Sequence, residues 1–191
     1  LWGAMSPAGD LFLYRDYLRT GRVPTQICED VITLSGNKRK QIGTYENPKN
    51  GLIYSKYEEQ QYGESYQWTI FDARAFSSNA SGEGILLSKL YGLAGLKLKK
   101  GSGHDSDHYV PILKEWFRID PDKKHFATGE LGAPRIYVFN TCTDFIRTIK
   151  RWVWVERKTK SLERLAKESP TKNDDDLCDC MKLMIQANPQ F

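Results

Sequence analysis

The sequence predicts an α/β domain: a mixed sheet, made of an antiparallel hairpin plus parallel strands, with helices on both faces. Three observations predict it. The chain opens on a hairpin pattern, with apolar and aromatic runs at 1–4 and 11–17 around the turn Ser6-Pro7-Ala8-Gly9-Asp10. Helix-period and strand-period stretches then alternate to the C-terminus. The last stretch sets Leu177, Met181, Met184 and Ile185 at helical spacing behind an acidic run.

Taken in order, residues 1–4 read as the end of a strand and 11–17 as its aromatic-rich antiparallel partner. Pro24 and Thr25 open a helix reaching Leu34, with Ile27, Val31 and Leu34 on its buried side. Residues 36–63, rich in Gly, Asn, Lys and Tyr, are expected as an irregular insertion. Tyr66-Gln67-Trp68-Thr69-Ile70-Phe71 is a strand ending on Asp72, and 73–82 a loop. A helix over 83–93 precedes a short strand, Leu96-Lys97-Leu98. Asp105 or Ser106 caps a helix carrying Val110, Leu113, Trp116 and Phe117. Gly132 to Pro134 leads into the strand Arg135-Ile136-Tyr137-Val138-Phe139. Thr141 or Thr143 caps a helix whose buried face is Phe145, Ile146, Ile149 and Val153. Residues 156–173 read as a flexible basic segment before the acidic helix.

The 191 residues are expected as a single domain, long enough to bury a core. With 28 basic and 24 acidic residues the net charge is only +4, but the distribution is uneven. Bases crowd at Lys38-Arg39-Lys40, Lys97 to Lys100, Lys123-Lys124 and Lys150 to Arg164, while acids gather at the last helix. A basic surface around an acidic pocket suits a metal-dependent enzyme acting on phosphate backbones. No run of ~18 apolar residues suggests a membrane span. The four cysteines, Cys28, Cys142, Cys178 and Cys180, form no CxxC or disulfide framework and read as reduced thiols of a cytosolic protein.

The chemistry concentrates in Asp174-Asp175-Asp176-Leu177-Cys178-Asp179. On a helix Asp176 and Asp179 project from one side, and Asp175 nearly shares it. The plain reading is an acidic first turn favoured by the helix dipole. The sharper one is that such carboxylates repel unless a cation lies between them, and their hard oxygens suit Mg2+ or Mn2+. Asp72, at the carboxyl end of a strand, can face this helix, because ligands gather at such ends in α/β sheets. Arg74, Lys99, Lys100, Lys150 and Arg151 are candidates for DNA phosphate contacts, against the plain reading of solvated surface. His104 and His108 have zinc spacing, but Asp105 or Ser106 as a cap explains that stretch more simply. Trp152 and Trp154 read as packing residues.

Ile70-Phe71-Asp72-Ala73-Arg74-Ala75-Phe76 resembles the second acidic motif of the nuclease domain of phage terminase large subunits. Pro134-Arg135-Ile136-Tyr137-Val138-Phe139-Asn140-Thr141-Cys142, followed by Phe145-Ile146-Arg147 and Trp152-Val153-Trp154, resembles the stretch before that family's last acidic motif. Asp175-Asp176-Leu177-Cys178-Asp179-Cys180-Met181 is similar to the last motif itself, usually of the form DD-x-x-DAL. All three occur in the family's order over most of 1–185. The resemblance implies an RNase H-like fold of the resolvase and integrase superfamily, and endonucleolytic cutting of double-stranded viral DNA during packaging. It implies Asp72, Asp176 and Asp179 as catalytic acids and, with Asp175, as ligands of two Mg2+ or Mn2+ ions on the order of 4 Å apart. It also implies, as partners, a terminase ATPase domain in the full-length chain, the small terminase subunit and the portal. The expected location is the host cytoplasm, transiently at the procapsid portal.

In two respects the chain departs from the family. The strand carrying the family's first catalytic Asp is expected before Leu1, and no G-x-x-x-x-G-K-[ST] phosphate loop occurs. Asp10, in a turn, and Asp16, on another strand, are poor substitutes. Alternative readings are a Holliday-junction-resolvase-like nuclease and a non-catalytic domain that docks on DNA or the portal. A chain beginning at Leu1 is expected to cut plasmid feebly, with Mn2+ before Mg2+, and one extended upstream by about 20 residues to cut it readily. Equal nicking rates in Mg2+ would assign the missing role to an acid within this sequence, Asp16 first.

Overall fold

A computed structural model describes residues 1–77, 85–102, 106–152 and 175–187. In chain order its elements are β1 (Trp2–Met5), β2 (Leu11–Arg15), α1 (Pro24–Leu34), β3 (Lys38–Glu46), β4 (Ile53–Gln60) and β5 (Thr69–Phe71). A 3-10 turn (Ala73–Phe76), α2 (Leu87–Leu93), β6 (Leu98–Lys100) and α3 (Ser106–Phe117) follow. The last are β7 (Asp120–Lys124), β8 (Leu131–Ala133), β9 (Ile136–Val138), α4 (Thr143–Arg151) and α5 (Asp176–Gln186). The fold is mixed α/β, with five helices among the described residues and both parallel and antiparallel strand pairs. None of those helices is long and apolar enough to cross a membrane. The 156–173 segment, Asp174, His104 and Asp105 lie outside the described residues.

Packing divides the chain into two compact units. Leu1–Leu18 with His104–Phe191 makes the first, and Arg19–Gly103 the second. The physical reason is that each has its own core. In the first, Leu11, Leu13 and Ile136 pack with Leu113, Trp116, Cys142, Phe145, Leu177, Met181 and Ile185. In the second, Cys28 and Ile32 pack with Tyr91, Ala94 and Leu96.

The first unit is built on a three-stranded sheet in the order β1-β2-β9. β1 and β2 pair antiparallel across the 6–10 turn, where Gly9 takes φ +79°, a conformation that glycine adopts at no steric cost. β9 runs parallel to β2, with Leu11, Phe12 and Leu13 opposite Ile136, Tyr137 and Val138. Side chains alternate across a strand, so Leu11, Leu13 and Ile136 share one face, and residues of α3, α4 and α5 all pack into their cluster. Helices were expected on both faces. In this unit the other face carries Phe12 stacked on Tyr137 at 5.2 Å, with Phe126, from the turn between β7 and β8, edge-on to both. Sequence reading missed that hairpin because Asp120-Pro121-Asp122-Lys123-Lys124 has no apolar alternation.

The start of α4 corrects the expected threonine caps. Cys142 occupies the cap position without a side-chain bond, and Asp16 from the end of β2 accepts the Phe145 N–H at 2.8 Å instead. A side chain distant in sequence thus satisfies one of the orphan amide donors of the helix.

In the second unit β5 and β6 are parallel, with Phe71 opposite Lys100. The buried residues of α1 are Cys28 and Ile32, flanked by Ile27 and Val31, whereas Leu34, expected inside, is exposed. The irregular insertion expected over 36–63 is instead a regular antiparallel hairpin, β3 and β4, with one register shift between Gln41 and Gly43. Its base explains the order. The buried Asn37 side chain donates to Glu59 Oε1 at 2.7 Å and to the Glu64 carbonyl at 2.9 Å. Its Oδ1 accepts the Tyr62 and Gly63 N–H groups at 2.9 and 2.7 Å. Four bonds from one amide fasten the two ends of the hairpin together. Gly63 lies so close to Ser35 and Gly36 backbone that no Cβ fits there.

Asn37→Ala leaves several of these partners unsatisfied. Each such group costs about 1–3 kcal/mol, and replacement by water at the partly exposed ones keeps the expected total loss near 2–3 kcal/mol in chemical denaturation. A loss below about 0.5 kcal/mol, the level of an ordinary surface change, would show that the clamp is not what orders the hairpin.

Candidate acidic site

The helix α5 buries Leu177, Met181 and Ile185 in the core of the first unit, and Met184 packs partly against it. These are the four residues expected from the spacing. Cys178, Lys182 and Leu183 are buried as well, so the helix is covered over more of its circumference than the stripe alone implied.

The acidic residues sit in three environments. Asp175, half-buried, is the residue at the cap position, although its side chain makes no capping bond. Asp176 opens the helix and is exposed. Neither has an ion-pair partner among the described residues. Both lie where the positive end of the helix dipole favours a carboxylate. Asp179 differs. It is half-buried, forms an ion pair with Lys182 one turn later, and is therefore already neutralised.

Asp72 belongs to the second unit, at the carboxyl end of β5 as expected. Its Oδ1 accepts the Arg74 N–H at 2.7 Å, which starts the 3-10 turn. The Arg74 guanidinium then grips the same carboxylate, Nη2 to Oδ2 at 2.8 Å and Nε to both oxygens at 3.1 and 3.2 Å. The side chain of Asp72 is 25% exposed and that of Arg74 79%. Such a fork is a well-formed ion pair, yet its open side leaves it screened by solvent.

The other basic candidates fall in both units. Lys99 and Lys100 are exposed on β6, beside the carboxyl end of β5, and Lys99 lies 3.4 Å from the Trp68 ring centre. Lys150 and Arg151 are exposed in the last turn of α4, where cations favour the negative end of the dipole. Lys123 is not available as a surface base, because it forms an ion pair with the buried Asp10.

The donor chemistry was tested against two divalent ions. Carboxylate oxygens are right for Mg2+ or Mn2+. Among the described residues, however, no three carboxylate, imidazole or thiol groups converge as a ligand set. Asp72 and Asp179 each hold a cation of the protein itself. Of the four expected ligands, Asp175 and Asp176 are the two without a cation of the protein among the described residues. Comparison with protein-family models, curated proteins and solved structures finds no match.

Sequence reasoning missed Lys182 because a lysine on a helix is ordinarily solvated. Its neighbour at i−3, Asp179, was the signal available in the chain. The four cysteines are thiols, as expected, and three are buried. Burial pushes the Cys178 thiol up to about 12, with Asp175 and Asp179 adding to the rise and Lys182 opposing it. Burial also drives Cys28 up to about 12, against the pull of Arg39, and raises Cys142.

Ellman's reagent on the native protein is accordingly expected to find Cys180 first, with Cys28, Cys142 and Cys178 reacting only on unfolding. Rapid labelling of all four would contradict that burial. A raised acid favours the folded state while it stays protonated. The contribution of Cys28 and Cys178 is therefore complete below their ordinary value of 9.0 and is lost as pH rises towards 12. Replacing both by Ala should flatten that alkaline decline in a denaturation series.

Proposed function

We propose that the chain is the nuclease domain of a phage terminase large subunit, with an RNase H-like fold, cutting double-stranded viral DNA during genome packaging in the presence of Mg2+ or Mn2+. The ordered motifs around Asp72, Pro134 to Cys142 and Asp175 to Met181 supply the resemblance. The structural observation that carries the reading is the first turn of α5. Asp175 and Asp176 stand there without cation partners among the described residues, on a helix fixed by its buried face. Two uncompensated carboxylates at one helix start suit a hard cation and not a phosphate, so the phosphodiester needs basic residues to hold it. Arg74, Lys99, Lys100, Lys150 and Arg151 have the charge for that. On this reading the ATPase domain, the small terminase subunit and the portal are the partners, and the host cytoplasm and procapsid portal the setting.

A second reading is a domain that docks on DNA or the portal without cutting. The pairs Arg74–Asp72 and Lys182–Asp179 favour it, because they neutralise two of the four expected ligands.

Calorimetric titration with Mn2+ separates the two. The nuclease reading expects binding that Asp72→Asn and Asp176→Asn each weaken, and unchanged affinity in both variants would sink it. Comparing cleavage of linear duplex with four-way junctions distinguishes a resolvase-like activity. Duplex binding is expected to ignore sequence and to weaken by orders of magnitude between low and moderate salt, as lysine and arginine contacts to phosphate require. A flat salt dependence would remove the backbone-contact assignment.

A further inference from the structure

Lysine is among the residues least often fully buried, yet Lys182 in α5 is only 5% exposed. Its ammonium forms an ion pair with Asp179 and lies 5.7 Å from the centre of the Trp152 ring at the end of α4. The Trp152 indole N–H is itself buried and has no acceptor among the described residues. On a solvated helix surface an i,i+3 pair is worth little and needs no burial. Here the Lys182 side chain is 6% exposed although that of Asp179 is 26% exposed, so the ammonium is held inside while its partner reaches the surface.

We propose that Lys182 is a built-in counter-cation of the acidic helix. It fills the place at Asp179 that a metal ion would otherwise take, so Asp179 positions Lys182 and is not a metal ligand. Of the described acids of this helix, Asp175 and Asp176 are then the ones open to a divalent ion, a consequence that rests on the nuclease reading, whereas the role of Lys182 does not. Charge counting points the same way. The three described carboxylates less one ammonium leave two negative charges, which one divalent ion balances.

The test is Mn2+ binding, followed by the electron-spin resonance of free Mn2+, on wild type, Asp179→Asn, Lys182→Gln, Lys182→Met and the double variant Asp179→Asn with Lys182→Gln. Removing the ammonium is expected to tighten binding, or to add an ion, by about tenfold or more, the size of one neighbouring unit charge. Asp179→Asn alone should weaken binding by no more than that one unit charge, and by less than Asp176→Asn, because it leaves the ammonium unbalanced, and the double variant should return to the wild-type level. If Lys182→Gln and Lys182→Met bind Mn2+ no better than wild type, or if Asp179→Asn weakens binding as far as Asp176→Asn does, the proposal is overturned. Circular dichroism checks folding, and Lys182→Met keeps the buried chain length should the glutamine fail. If neither lysine variant folds, the comparison of Asp179→Asn with Asp176→Asn still decides. A wild type that binds no Mn2+ counts against the nuclease reading, while a gain in the lysine variants that needs Asp179 still supports the counter-cation.

Discussion

The burial of α5 against Leu11 and Leu13 is the contact on which the rest of the first unit depends. Two residues from a short hairpin cannot bury themselves, and a two-stranded hairpin alone is marginal in water. Leu177, Met181 and Ile185 supply the missing surface from the far end of the sequence, together with Phe145 of α4 and Trp116 of α3. Fully burying one such apolar side chain contributes roughly 1.5–3 kcal/mol. Because the stripe begins at Leu177, the rotation of α5 is set before any acid is considered. Asp176, one step back around the helix, faces out, while Lys182, one step on from Met181, is carried inward.

The acids of this chain mostly meet partners that hold structure. Asp16 caps α4, Asp10 is paired under the first hairpin, and Asp72 both opens a turn and binds Arg74. Asp175 and Asp176 have no cation partner among the described residues, and this contrast gives the acidic turn its interest. A carboxylate without a counter-charge is easily tolerated in solvent, and also readily recruited by a cation.

Much of the element order was legible in the residues. Pro24 and the spacing after it marked α1 to its last residue, and the turn at 6–10 marked the first hairpin. The stripe of α5 was read in full. What failed did so for physical reasons. Asn37 organises residues 36–63 through bonds to partners 22 to 27 positions away, which no local period reveals. Asp16 caps a helix 129 residues on, so nearby threonines looked like the better candidates. The division into two units was hidden because both cores draw on similar apolar runs, and only pairing partners tell them apart. In the acidic helix the types and spacing of the carboxylates were plain, whereas their neutralisation depends on whether a lysine turns inward.

The second unit, Arg19–Gly103, is inserted within the first, whose segments precede and follow it. A ribosome delivers a chain in one direction, and this arrangement makes delivery uneven. Arg19–Gly103 emerges as a continuous stretch and can close its core as soon as it is out. β1 and β2 emerge earlier but must wait for β9, α4 and α5 before Leu11 and Leu13 are covered. At ordinary elongation rates the interval is on the order of ten seconds. Throughout it Leu11 and Leu13 stay uncovered, the kind of apolar surface that holdase chaperones bind.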